Sequence, residues 1–236
     1  ITKVGMDMGT DPAGLPAQGL SARWIAQAVE GSLRRLGVET IDHYFAHRPD
    51  DTTPHVETLG AFDRLIRAGK VRSIGASNFS ADQLAAALDT TAQQGLPAYT
   101  SLQPEYNLIN RAALEGPLLD LCRARGLGVI PYFGLASGFL SGRYRSLADT
   151  AGKARQGRLD SYITPRNLAI LDALAAVAAG HGATPAQVAL AWVAAQPGVT
   201  GPIASATSVA QVADLAAAAR LTLSAADLAA LDAVSA

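Results

Sequence analysis

Short apolar runs alternate with amphipathic helical stretches along nearly the whole of this chain. Strands are predicted near 1–5, 40–47, 71–76, 99–104, 127–132 and 199–204. Helices are predicted near 22–36, 56–69, 81–94, 111–125, 166–181, 185–196, 208–219 and 225–234. That order points to a parallel sheet with helices outside it, because parallel neighbours need a crossover long enough to hold a helix. Several helix ends carry their own signals. Ser21 and Ser80 can accept from the first free N–H groups, and Thr184-Pro185 sets a cap before a proline at the first helical position. Gly37, Gly69, Gly126 and Gly182 suit C-termini that need a left-handed residue.

The alternation breaks only between 133 and 198, where a long polar loop and two successive helices are expected. Within it, Arg143 to Arg158 reads either as a solvated loop or as a flap over a bound anion. With no internal repeat and no domain-sized linker, residues 1–236 read as a single domain. Six strands fall short of an eight-stranded barrel, which usually takes about 250 residues. The chain also opens inside an apolar run without a Met, so the expectation is a (β/α)8 barrel incomplete at its N-terminus.

A net charge of −1 offers no field for a polyanion, so no nucleic-acid partner is expected. No signal peptide and no membrane-length apolar run is visible, which implies a cytoplasmic setting without a membrane partner. The one cysteine, Cys122, lies in a helical pattern and reads as a small buried thiol. No metal set is expected, and the oligomeric state is left open.

The residues that could carry chemistry sit at strand ends. Lys3 lies in the first strand, and His47 ends the second. Alternation in Thr40–His47 puts His43, Phe45 and His47 on one face, with His43 deeper in a hydrogen-bonded core role. A cationic amine beside an imidazole can polarise a carbonyl and move a proton. Ser77 and Asn78 close the third strand, Gln103 the fourth and Tyr132 the fifth, offering grips and a stacking face for a planar amide. The turn Ser205–Ser208 leads into a helix, either as a phosphate site on its N-terminus or as an ordinary turn capped by Ser208. His55 and His181 are expected in exposed loops.

Taken in order, Ile41-Asp42-His43-Tyr44-Phe45-Ala46-His47, Gly69–Phe79, Gln103–Leu108 and Ser137–Tyr144 resemble the aldo-keto reductases. The resemblance implies an eight-stranded barrel, an extended nicotinamide dinucleotide, usually NADPH, and reduction of a small carbonyl substrate to an alcohol. It assigns Lys3 and His47 to two members of an Asp-Tyr-Lys-His tetrad. The matching Asp and the proton-donating Tyr would lie ahead of Ile1, so this chain alone is expected to be inactive or nearly so. Ser77, Asn78 and Gln103 resemble the residues that hold the nicotinamide carboxamide, and Tyr132 the ring that stacks on it. Phe133, Gly134, Leu135, Ser137 and Arg143 resemble the pyrophosphate loop. Ser205, Thr207, Gln211 and Asp214 match the ribose-phosphate and adenine end. Three departures stand out. Thr207 replaces an Arg that many members direct at the 2′-phosphate, which leaves NADH possible. Phe133-Gly134 replaces a frequent Ser-Pro, and Arg143 a frequent Lys, which keeps charge but changes donor geometry. Two other readings stay open: a regulatory module that binds NADP(H) without catalysis, and a barrel aldolase with Lys3 as Schiff-base amine.

Overall fold

A computed structural model of the chain describes residues 1–236 apart from Pro12, Ala13, Pro16 and Ala154. Its contacts divide into two compact units, Ile1–Pro104 with Pro117–Val129, and Glu105–Gly116 with Ile130–Ala236.

The first unit is a parallel sheet with crossover helices. Strands β1 (Thr2–Val4), β2 (Ile41–Ala46), β3 (Val71–Ser77), β4 (Tyr99–Gln103) and β5 (Gly128–Val129) lie in sequence order. Between them run α1 (Ala22–Leu36), α2 (His55–Arg67), α3 (Ala81–Gln94) and α4 (Pro117–Ala124). Helix α1 buries Ile25, Val29 and Leu33, the four-residue spacing of one apolar stripe. Its Ser21 accepts from Trp24 N–H, and Gly37 closes it in the left-handed region. Ser80 and Gln83 form a reciprocal capping box on α3.

Alternation sends Tyr44 to the helical side, where it meets Phe62 edge-on, and Phe45 to the opposite, inner face. Both rings are fully buried, and Phe45 contributes about 1.5–3 kcal/mol by leaving water. His43 also faces inward. Its Nδ1 lies 2.7 Å from Ser73 Oγ and its Nε2 lies 2.6 Å from Ser101 Oγ, so one imidazole ties β2 to β3 and β4.

Two features make room for this. A Cβ on Gly75 would stand 2.5 Å from Phe45 Cε1 and 2.6 Å from His43 Nε2. Between the pairs Ile74–Tyr99 and Ala76–Leu102, β4 has one residue more than β3, a bulge. Tyr99, against Phe62 and Phe79, and Ser101, against His43, are thereby sent to opposite faces despite their two-residue spacing.

The second unit is mainly helical: α5 (Leu147–Thr150), α6 (Gln156–Tyr162), α7 (Pro165–His181), α8 (Pro185–Ala195), α9 (Val209–Ala218) and α10 (Ala225–Ser235). Helix α8 is its apolar centre, with Val188, Ala189, Leu190, Ala191, Trp192 and Val193 all buried. Arg111 lies over the Trp192 ring and binds Glu115, Asp232 and Ser235. Tyr106 stacks on the same indole and donates to Glu115, an arrangement that ties the chain's last helix to the segment before α4.

The fold differs from expectation in five places. Among the described residues five strands form, not six: Gly201-Pro202 interrupts 199–204, and there the Ile203 N–H donates to the Pro131 carbonyl over 2.8 Å. The helix expected from 111 starts at Pro117, because left-handed Gly116 and a proline without an N–H break the run. The stretch expected as a polar loop contains α5 and α6, whose Ser146–Asp149 and Thr150–Asp160 bonds give it local order. His55 opens α2 instead of lying in a loop, and His181 ends α7 and pairs with Asp227 at 2.9 Å. Cys122 is buried as expected, and burial pushes its thiol up to about 11. Among the described residues no single helix is long and apolar enough to cross a membrane.

Gly75→Ala should lower stability by about 1–3 kcal/mol, the range for overfilling a packed interior, with Gly75→Val worse. Chemical denaturation followed by circular dichroism checks this, and an unchanged midpoint for Gly75→Ala contradicts the close packing described.

Candidate active site

Lys3 pairs in register with Phe45, and His47 lies two residues further along the same face. The His47 N–H donates to the Val4 carbonyl over 2.8 Å, continuing the ladder by one bond past β2. Lys3 Nζ sits over the Phe45 ring, 5.9 Å from its centroid, so the ammonium faces an aromatic surface. Lys3 and His47 are both partly buried. Burial pulls the Lys3 amine below its ordinary value. For His47 burial acts first, followed by the positive charges of Lys3 and Arg48, and all three hold the ring neutral. Amine and imidazole thus lie at one end of two adjacent strands. Such a pair can direct hydrogen bonds at an oxygen that gains negative charge.

The next two strand ends add amides. Ser77 is buried and donates to the Gln103 carbonyl at 2.8 Å. Asn78 is left-handed, at φ 63°, a conformation a short polar side chain tolerates. Its carboxamide donates to the His47 carbonyl at 2.9 Å and to Ser77 Oγ at 3.1 Å. Asn78 therefore ties the His47 backbone to β3 directly. Gln103 is 2% exposed, yet its carboxamide makes no hydrogen bond to another described side chain. The sequence-selected residues Lys3, His47, Ser77, Asn78 and Gln103 are thus gathered at the carboxyl ends of β1 to β4. Phe45 and Ser101 were not selected from the sequence. Phe45 fell to the same face by alternation, which was the available signal, while the bulge that turns Ser101 inward left none.

In the second unit, Tyr132 and Phe133 lie edge-to-face at 4.9 Å, and the Arg158 guanidinium covers Phe133 at 5.0 Å. Asn107 donates to the Phe133 carbonyl at 3.0 Å. Phe133, Ala136, Ser137 and Gly138 all have positive φ, between 46° and 98°, so this turn repeatedly enters the left-handed region. Turns mixing left- and right-handed residues aim successive N–H groups into a concavity suited to anions. Gly134 allows close packing, since a Cβ there would come 3.0 Å from Leu190. Leu135 precedes a short 3-10 turn, Ala136–Ser141, whose Ser137 hydroxyl lies buried beside Tyr162. Arg143 is exposed and donates to Ser141 Oγ at 3.1 Å.

The selected residues around α9 are used more locally. Ser208 caps the helix and accepts from the Gln211 N–H, and the Gln211 side chain accepts from Thr207 N–H at 2.7 Å and its hydroxyl at 3.1 Å. Asp214 accepts from Gln187 at 2.6 Å. Ser205 and Thr207 are exposed. Among the described residues no three His, Cys, Asp or Glu side chains come together as a metal set.

Over residues 1–236 the chain matches the profile described as Aldo/keto reductase family. It is 31% identical to an L-glyceraldehyde 3-phosphate reductase of Escherichia coli strain K12, over 98% of this chain and 68% of that protein. A probable voltage-gated potassium channel subunit beta of Oryza sativa is 34% identical over 83% of this chain and 61% of its own length. A probable aldo-keto reductase 1 of Glycine max is 33% identical over 80% and 53%. The chain spans between half and about two thirds of the length of these relatives.

His47 should titrate below the ordinary imidazole value. Lys3→Met removes one of the positive charges opposing protonation, so the His47 midpoint should rise, read by proton–nitrogen NMR of the ring. A midpoint unmoved by that substitution would show that the two groups are not coupled.

Proposed function

The chain belongs to the aldo/keto reductase family, and we propose that it takes part in NADP(H)-dependent reduction of an aldehyde or ketone to the alcohol. The observation carrying this reading is the partly buried Lys3–His47 pair at the same strand ends as Gln103. When bound, the dinucleotide supplies the hydride. Gln103, Asn78 and Ser77 suit its carboxamide, which has one donor group and one acceptor to satisfy. Tyr132 supplies a ring face for stacking, and the left-handed turn at Phe133–Gly138 with Arg143 suits the pyrophosphate. Ser205, Thr207, Gln211 and Asp214 belong to the ribose-phosphate end, although Gln211 and Asp214 already have protein partners.

Neutral His47 directs an N–H at the substrate oxygen, and Lys3 stabilises negative charge beside it. One preorganised donor of this kind commonly contributes about 3–4 kcal/mol. On this reading the family's Asp and proton-donating Tyr have no counterpart among residues 1–236. As an isolated polypeptide these residues should therefore bind nucleotide with little or no turnover.

A second reading is favoured by the name of the rice relative, a channel subunit. On that reading the chain binds nucleotide to control a partner. Turnover in a polypeptide extended by a strand–helix segment bearing the family's Tyr separates the two. NADPH oxidation on adding that segment, lost again in His47→Gln, supports reduction; tight binding without oxidation supports the regulatory reading. Equal turnover from residues 1–236 with and without the extension contradicts the role given to the missing phenol.

Thr207→Arg should tighten NADPH relative to NADH by about tenfold, a gain of about 1.4 kcal/mol from one new phosphate contact. Calorimetry with both nucleotides checks it; an unchanged ratio puts Thr207 away from the 2′-phosphate.

A further inference from the structure

We propose that His43 is a positioning residue: locked as the Nδ1–H tautomer between Ser73 and Ser101, it holds the Phe45 ring under Lys3 and so keeps the amine beside His47. The inference rests on the reading of Lys3 and His47 as the reacting pair.

The tautomer follows from counting protons. Ser73 Oγ lies 2.7 Å from the Asp42 carbonyl oxygen, which has no proton to give. The single hydroxyl proton of Ser73 therefore points at Asp42. Toward His43 Nδ1, also 2.7 Å away, Ser73 can only accept, so Nδ1 carries the hydrogen. In the neutral ring Nε2 is then the acceptor, and Ser101 donates to it at 2.6 Å. Both ring edges are thus fixed from different strands.

That orientation is passed on by contact. His43 meets Phe45 edge-on, with ring centroids 4.5 Å apart and planes at 88°. Gly75 closes the other side, where a Cβ would overlap both rings. Phe45 is fully buried and lies under Lys3 Nζ. The charged and titratable groups near this stack are the amino group of Ile1, whose charge opposes protonation of His43, Lys3 from β1, and His47 with exposed Arg48 after β2. Ser73 and Ser101 face it from β3 and β4, and Asp42 and Arg72 pair with each other in an exposed position.

Nitrogen-15 spectra of the histidine-labelled chain at neutral pH should show His43 protonated at Nδ1 and bare at Nε2. Carbon-13 titration of Lys3 Cε then tests the coupling. In His43→Ala the Phe45 ring loses its stop, water reaches the amine, and the Lys3 midpoint rises by about 0.5 or more. Ser101→Ala, which removes little volume, frees only the Nε2 edge, so it should give a smaller rise and leave His43 protonated at Nδ1, which Ser73 still fixes. Leu88→Ala, a buried change on α3, serves as a control: it lowers thermal stability and leaves the Lys3 midpoint in place. If His43→Ala does not fold, Ser101→Ala decides. A His43 ring protonated at Nε2, or a Lys3 midpoint unmoved in the folded variants, overturns the proposal. No measurement here involves nucleotide or substrate, so a failed reductase assay leaves the result standing, and the converse also holds.

Discussion

The inner face of the sheet is organised around a space that a side chain at position 75 would fill. Two aromatic rings occupy that space from the neighbouring strand, and the lack of a Cβ at Gly75 leaves room for the His43 ring, which reaches hydroxyls on β3 and β4. Packed interiors tolerate neither a void nor an added methyl group at such a point. Phe45 then becomes the floor for Lys3, and the carboxyl ends of the strands above it hold the polar groups. The order of dependence runs from backbone clearance to ring packing to the electrostatics of the amine.

Electrostatic character at the strand ends follows from partial burial. An amine and an imidazole in water would ionise almost independently. Here lost hydration disfavours charge on both, and the positive charges of Lys3 and Arg48 further oppose protonation of His47. Asn78 reinforces the geometry by bonding the His47 carbonyl, so the imidazole's own backbone is fixed from the adjacent strand. In the second unit a different device prevails. The turn after β5 repeatedly enters the left-handed region, with the Ala136 and Gly138 N–H groups donating to the Phe133 and Leu135 carbonyls, and Arg158 stays engaged with an aromatic ring.

Much of this was legible in the residues. Alternation in Thr40–His47 divided Tyr44 from Phe45, and the caps at Ser21, Ser80, Thr184 and Ser208 formed where hydroxyls preceded helical patterns. Lys3, His47, Ser77, Asn78 and Gln103 could be selected because strand ends on a parallel sheet converge. The errors have equally local causes. Apolar content suggested a strand at 199–204, but a proline cannot donate to a ladder. Periodicity suggested a helix from 111, but Gly116-Pro117 interrupts it. Polar composition hid α5 and α6, which depend on side-chain caps and buried Leu159 rather than on a long apolar stripe.

The sequence by itself determined the alternating plan, the helix ends and the polar character of the strand termini, because these depend on residues close together in the chain. Tertiary structure alone decided that Ser101 faces His43. A strict two-residue period would have set Ser101 on the same side as Tyr99, and one additional residue in β4 reverses this. Bulges depend on how two strands fit their neighbours' side chains, a condition no single segment carries. The same holds for the space beside Gly75, which exists only once His43 and Phe45 arrive from another strand.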